Sequence, residues 1–241
     1  MRICAVIPAA GRGSRLGSDA PKILTSLTDT QTVWDILHAK LAPLVDHIHL
    51  VLSPDGERQF PELPADVSHS VQPAPTGMGD AIFRGFPVWS NYEAILVVWG
   101  DQVFVSEGTL NRAIAALNNP HQQAVLPVTR MASPYVEYVF EGEHLARVLQ
   151  SREGDVTTAN GLSDVGTFLL GTDGLQLAWQ DYLKTAPRGN ATGEMNFLPF
   201  LPFLRAQGWR IQPLEVADAT EARGINTPDD LDFFRQLYKN P

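Results

Sequence analysis

The chain has 241 residues, enough to bury the core of one large α/β domain. Its 44% hydrophobic and 19% charged content is ordinary for a soluble globular protein. The net charge of −9 excludes a broad basic surface for nucleic acid, so an anionic ligand must be met by a local cluster of donors and cations, or by a metal.

A single cysteine, Cys4, rules out an internal disulfide framework, and its apolar surroundings read as a buried small residue. No run approaches the roughly 18 apolar residues of a spanning helix. The first residues lead straight into a strand-like run without the features of a secretory leader, so the expected location is the cytoplasm.

In chain order, Ile3–Ile7 predicts a buried strand, and a glycine-rich turn follows at Gly11–Gly17. Val33–Leu41 carries apolar residues at helical spacing. His47–Leu52 is a second strand, and 53–66 reads as loop or broken helix. A short strand ends at Val71, and a helix starts over Gly79–Phe86. Ala94–Trp99 is the strongest strand signal, closed by Gly100-Asp101. A helix over Thr109–Leu117 is followed by strands at Ala124–Val128 and Val136–Phe140. Ser151–Ser163 reads as a loop, Val165–Leu170 as a strand and Asp173–Leu183 as a helix. Pro187–Thr192 has turn composition and Ile211–Val216 is a late strand. The last helix runs from about Pro228 to Tyr238, with Thr227 and Asp230 as a capping pair. The alternation implies an α/β fold, a mostly parallel sheet with helices on both faces.

Four motifs carry chemistry. In the first, Ala9, Ala10, Gly11, Arg12, Gly13, Ser14 and Arg15 follow the first strand, and Pro21-Lys22 comes next. Small residues let backbone N–H groups approach an anion closely, and Arg12, Arg15 and Lys22 add cations. That is a phosphate cradle, though neither a Walker A loop nor a dinucleotide fingerprint. In the second, Asp101 stands at the carboxyl end of the best strand, where ligands collect in parallel sheets and where one carboxylate suits Mg²⁺. The third is the Pro/Gly-rich stretch from Gln72 through Gly77 to Asp80, whose glycines let backbone approach something flat. The Gln72 amide offers a donor and an acceptor side by side, which suits uracil or thymine. The fourth is Gly224-Ile225-Asn226, before the cap of the last helix, where the Asn226 amide has no capping role.

Taken together and in this order, the motifs resemble the sugar-1-phosphate nucleotidyltransferase family, most of all the uridylyltransferase domain of bacterial N-acetylglucosamine-1-phosphate uridylyltransferases. The likeness spans residues 3–232. It implies a Rossmann-like, mostly parallel mixed sheet of the nucleotide-diphospho-sugar transferase type. It also implies one domain over 1–241, with a nucleotide-binding part at about 1–130 and a sugar-binding part at about 131–226. The bifunctional relatives continue into a β-helix; this sequence is expected to supply the nucleotidyl-transfer part only.

The resemblance further implies a reaction: an acceptor phosphate attacks the α-phosphorus of an NTP in line and pyrophosphate leaves. The loop N–H groups at Ala9, Ala10, Gly11, Gly13 and Ser14, with Arg15, would hold the triphosphate. Lys22 would bridge the acceptor phosphate and the α-phosphate, and Asp101 and Asn226 would hold Mg²⁺ as cofactor. Gln72 and Gly77 would read the base, and Asp164, Gly166 and Glu194 would bind the sugar. UTP is the first expectation, dTTP the second and CTP the third, since isoprenoid-pathway cytidylyltransferases share part of the pattern. The expected partners are the NTP and a phosphorylated sugar, with neither nucleic acid nor membrane; self-association into a homo-oligomer is left open.

Met78, Gln150, Val136, Glu137 and Asp164 depart from the family pattern in the sugar pocket. Glu137 for a basic residue and Asp164 for asparagine suggest a sugar with different hydroxyls or a positive group. Two alternatives stay open: a cytidylyltransferase acting on a non-sugar or polyol phosphate, and an inactive nucleotide sensor of the same fold. Molybdopterin-guanine enzymes share the first loop but are not expected to carry the Gly-Glu and Gly-Ile-Asn pairs.

Overall fold

The computed structural model describes residues 1–11, 21–60 and 62–239. Strand β1 (Ile3–Ala9) is buried on both sides, as its continuous apolar run requires of a central parallel strand. It pairs in parallel with β2 (His47–Leu52) on one side, and β2 pairs in parallel with β3 (Val67–Val71). On its other side β1 pairs in parallel with β4 (Ala94–Val98).

Two layers of helix cover this sheet because side chains alternate across each strand. Ile3, Ala5 and Ile7 of β1 point to one core, with Ala94, Leu96 and Val98 of β4. That side is closed by α1 (Val33–Leu41), α5 (Glu107–Ala116) and α8 (Pro228–Lys239). Cys4, Val6, Ile95 and Val97 point to the other core. There they meet α3 (Met78–Arg84), α4 (Phe86–Trp89), α6 (Leu175–Leu183) and α7 (Phe200–Ala206). The stretch read as loop or broken helix over 53–66 contains a short helix, α2 (Pro54–Gln59), capped by Ser53.

Beyond β4 the sheet becomes mixed. β9 (Thr167–Gly171) runs antiparallel to β4 and to β5 (Gln123–Met131), and β10 (Arg210–Glu215) closes that edge in parallel with β5. The order is β10-β5-β9-β4-β1-β2-β3, with β8 (Gly161–Asp164) also paired to β5. Strands from both the expected nucleotide part and the expected sugar part therefore interleave in one sheet. A separate hairpin, β6 (Val136–Glu141) with β7 (His144–Gln150), lies beside it. Among the described residues no helix is long and apolar enough to cross a membrane.

Four elements differ from the sequence reading. β7, α4 and α7 go unsignalled, and β8 lies inside the stretch expected to be loop. β8 has only four residues, Gly161–Asp164, and its place comes from pairing with Val128–Met131 of β5. A strand that short carries little periodicity of its own. α7 begins at Phe200 behind a proline-flanked run, without a side-chain cap to announce it.

Candidate active site

The carboxyl ends of β1 and β4 meet where a turn follows each strand. A Cβ on Gly100 would stand 3.1 Å from the Pro8 carbonyl, so glycine lets the two strand ends close up. Ala9 ends β1 in the core, Ala10 and Gly11 lead out of it, and the described chain resumes at Pro21. The expected phosphate-holding residues Arg12, Gly13, Ser14 and Arg15 lie outside the described residues.

Lys22 opens a short 3₁₀ turn, Lys22–Leu24, whose next residue Ile23 is buried and anchors it. The Lys22 Nζ donates to Asp101 Oδ2 at 2.8 Å and to Asn226 Oδ1 at 3.1 Å. Residues from three distant segments thus converge on one ammonium. The corner at 223–230 is built for this. The Ile225 N–H donates to the Asp101 carbonyl at 3.1 Å, and a Cβ on Gly224 would stand 3.2 Å from the Asp101 carboxylate. Asp230 takes the Thr227 N–H at 2.9 Å and the Asn226 N–H at 3.1 Å, so one carboxylate caps α8 and seats Asn226. Burial pushes the Asp230 carboxyl up, but hydrogen bonds led by Arg223 and Thr227 outweigh it and hold it below its ordinary range.

A carboxylate and an amide oxygen are hard donors that suit Mg²⁺. Both accept from the same ammonium, so they already converge on the position of a single cation. Among the described residues no three or more His, Cys, Asp or Glu side chains gather into a metal cage. A cation held by Asp101 and Asn226 would complete its coordination with substrate oxygens and water, as Mg²⁺ does at phosphate-transfer sites.

The Gln72 segment follows β3 at the same edge of the sheet. Its glycines admit the protein's own atoms. Gly77 has φ +113°, and a Cβ there would stand 2.5 Å from the Met195 carbonyl oxygen. A Cβ on Gly79 would meet the Trp179 ring at 2.3 Å. The Met195 N–H donates to Thr76 O at 2.8 Å and the Gly79 N–H to Met195 O at 3.1 Å, clamping residues 76–79 to the loop that carries Glu194. The Trp179 ring beside Gly79 also stacks on Phe83 at 4.4 Å.

Gln72 corrects the sequence reading in one respect. Its Nε2 donates to Asp80 Oδ2 at 2.9 Å, Gly77 O at 3.0 Å and Thr76 Oγ1 at 3.1 Å. The nitrogen of the amide is used inside the loop, so donor and acceptor are not presented side by side.

The residues expected on the sugar side are also tied to the protein. Asp164 accepts from Tyr138 Oη at 2.9 Å and from the Gly166 N–H at 2.7 Å. Burial pushes its carboxyl up, and the Asp101 charge adds to that against those two hydrogen bonds. Asp164 therefore sits near enough to feel Asp101. Gly166 has φ +71°, and a Cβ there would strike the Gln102 side chain. Glu194 lies 3.6 Å from Arg152 Nη2. Glu137, expected to face the sugar, is 7% exposed and accepts from the Thr158 N–H and hydroxyl, so it braces the 151–160 segment. Both of its carboxylate oxygens are engaged by Thr158. Cys4 is buried and its thiol is pushed up to about 12 by burial, as expected of a packing residue.

Sequence reasoning missed three residues here. Gln102 is 6% exposed, and its Oε1 has no partner among the described residues. Glu153 holds the Glu194 loop by accepting from the Ala191 N–H and Thr192 Oγ1, both at 2.8 Å. Asp80 orders the Gln72 amide. Gln102, adjacent to Asp101, and Asp80, the last residue of the Gln72 stretch, stood where a sequence signal could have pointed to them.

Residues 5–165 match the family model described as "MobA-like NTP transferase domain". The matched span includes most of β1 with the loop after it, Lys22, Gln72, Asp101 and Asp164, and stops before Glu194 and Asn226. Its mixed, mostly parallel sheet with helices on both faces has the Rossmann-like architecture of NTP transferases. The match covers more than half of the chain, and the protein belongs to the MobA-like NTP transferase domain family.

Proposed function

We propose that this protein transfers a nucleotidyl group from an NTP to the phosphate of a small-molecule acceptor, most simply a sugar 1-phosphate. An acceptor phosphate oxygen attacks the α-phosphorus, the bond from the α-phosphorus to the bridging oxygen breaks, and pyrophosphate leaves with that oxygen. The observation that carries the reading is the Lys22 ammonium set between Asp101 and Asn226 at the carboxyl edge of β1 and β4. No covalent enzyme intermediate is required, so the protein's work is positioning and neutralising charge.

In this reading the loop after β1 holds the triphosphate, and Arg15 belongs to that loop. Lys22 turns from its two oxygen partners to the reacting phosphates. Asp101 and Asn226 hold Mg²⁺, which supplies charge neutralisation on both phosphorylated partners when bound. Glu194 and Asp164, with Gly166 shaping the turn, offer carboxylates to hydroxyl groups of the acceptor. The family match extends to nucleotidyl transfer in general, and a phosphorylated acceptor that is not a sugar would use the same centre.

The test is pyrophosphate release across four NTPs and a panel of sugar 1-phosphates and polyol phosphates, with Mg²⁺ and with EDTA. Release is expected for at least one pair, abolished by EDTA. If no pair gives release with Mg²⁺, the reading is wrong.

A further inference from the structure

We infer that Glu221 is a positioning residue for the cation site: by tying the segment that carries Asn226 to the start of α5, it fixes the spacing between Asp101 and Asn226. The inference rests on the proposed Mg²⁺ site and goes beyond it by naming what holds that site in shape. The two oxygen donors belong to segments far apart in sequence, 101–106 after β4 and 219–226 before α8. Beside the donors the segments meet through the Ile225 N–H, which donates to the Asp101 carbonyl at 3.1 Å. One hydrogen bond acts as a pivot, so a second tie is needed to stop the segments turning about it.

Glu221 supplies that tie. It lies in a 3₁₀ turn, Ala219–Ala222, and is 6% exposed. Its Oε2 accepts from the Ser106 N–H at 2.9 Å and its Oε1 from the Thr109 hydroxyl at 3.1 Å. Ser106 is the N-cap of α5, and its Oγ takes the Thr109 N–H at 3.0 Å. The carboxylate therefore grips the capped start of a helix rather than a loose loop. The segment after Asp101 is fastened in its middle as well. Lys40 of α1 donates to Val103 O at 2.7 Å and to Val105 O at 2.6 Å, and the Tyr238 hydroxyl of α8 donates to Val103 O at 2.9 Å.

A carboxylate buried this deeply carries a desolvation cost that a neutral side chain avoids. Lys40 offsets part of it: burial pushes the ammonium down, and the charges of Glu107 and Glu221 act against that. Both carboxylate hydrogen bonds of Glu221 go to the start of α5 rather than to Lys22, Asp101 or Asn226. Its effect on the cation site is therefore exerted through the backbone. A cation meets Asp101 and Asn226 at a preset spacing instead of having to draw two segments together.

The probe is Mg²⁺ alone, titrated into isotope-labelled protein, with the Ile225 amide resonance as reporter. Asp101→Ala marks the site and is expected to abolish the saturable shift. Glu221→Ala is expected to raise the half-saturating Mg²⁺ concentration about tenfold, the lower end for losing a group that orients metal ligands. Glu221→Gln should stay within about twofold of the unaltered protein, because its amide oxygen can accept from the Ser106 N–H and its nitrogen can donate to the Thr109 hydroxyl. In turnover, Glu221→Ala should need about tenfold more Mg²⁺ for its half-maximal rate and recover kcat at saturating Mg²⁺. A merely structural loss would lower kcat at every Mg²⁺ concentration.

Unchanged Mg²⁺ affinity in Glu221→Ala, a glutamine variant as weak as the alanine one, or a kcat that Mg²⁺ does not restore overturns the inference and leaves the cation site standing. No saturable shift in the unaltered protein, or one that survives Asp101→Ala, removes the cation site and the inference with it, while pyrophosphate release still tests the transfer reaction separately. Should Glu221→Ala fail to fold, Thr109→Val decides. It removes one of the two donors and is expected to raise the half-saturating Mg²⁺ concentration about threefold; no change overturns the inference.

Discussion

The Lys22 Nζ and the Asp101 Oδ2 stand 2.8 Å apart, joining the turn after β1 to the turn after β4 with both side chains about four-fifths buried. Asn226 completes the arrangement at 3.1 Å from the same ammonium. One cation thus sits between two oxygens that suit a divalent metal, in a protein whose net charge is −9. Within this pair the ammonium and the carboxylate balance one another.

Replacing Lys22 by alanine is expected to lower kcat by about 10²–10³, because in the proposed reaction the ammonium would neutralise charge that grows in the transition state. The fold should persist because Ile23 still anchors the turn, at some cost from leaving the largely buried Asp101 carboxylate unpaired. Single-turnover rates beside a thermal melt check both parts. A near-normal rate would take Lys22 out of the chemistry.

Gly77→Ala should destabilise the protein by about 2–4 kcal/mol. The substitution strains a residue at φ +113° and drives a Cβ to 2.5 Å from the Met195 carbonyl oxygen. Urea unfolding measures the loss. Because Gly77 O is also an acceptor for Gln72, nucleotide affinity should fall with it.

Glu153→Ala should loosen the segment that carries Glu194. Its carboxylate accepts from the Ala191 N–H, Thr192 Oγ1 and Asn196 Nδ2. Burial pushes this carboxyl up slightly, and those hydrogen bonds hold it below the ordinary range. The latch is therefore present above the ordinary carboxylate range and lost as pH falls through the lowered folded value. The acceptor KM is expected to rise about five- to tenfold with NTP affinity unchanged. Limited proteolysis should cut within residues 187–196 sooner. Equal weakening of both substrates would contradict a role confined to the acceptor side.

His49 is 1% exposed, with its ring between Ser68 Oγ at 2.8 Å and Ser70 Oγ at 3.0 Å. Burial, with the nearby His47 and His69, lowers it from 6.5 to about 4. The folded protein keeps this ring neutral while the unfolded chain protonates it, so stability falls as pH drops from about 6.5 toward 4. The loss attributable to this residue between pH 7.5 and 4.5 is about 2.5 kcal/mol. His49→Leu removes Ser68 and Ser70 of a partner and lowers stability overall, yet it should flatten the pH dependence by that amount. An unchanged slope in urea unfolding would assign the acid sensitivity to other groups.

Much of the fold is legible in the sequence because its signals are local. The apolar runs of β1 and β4 and the Thr32–Asp35 and Thr227–Asp230 caps specify their elements within a few residues. The short strand β8 is not legible, because it exists only through its pairing with β5. The same division holds within the site. Residue type and position at strand ends single out Lys22, Asp101, Gln72 and Asn226. Only tertiary structure decides what each one faces.

Composition and pattern by themselves determined an acidic α/β protein with a small-residue loop after its first strand and a carboxylate after its strongest one. They did so because burial periodicity and turn chemistry are written in neighbouring residues. Tertiary structure decided that Lys22 and Asn226, 204 positions apart, share an ion pair's neighbourhood with Asp101. It also decided that Gln72 turns its nitrogen inward and that Glu137 braces a loop. Hydrogen-bond direction and metal-ready convergence depend on which atoms of distant segments come within about 3 Å, and that distance is set by packing of the whole sheet.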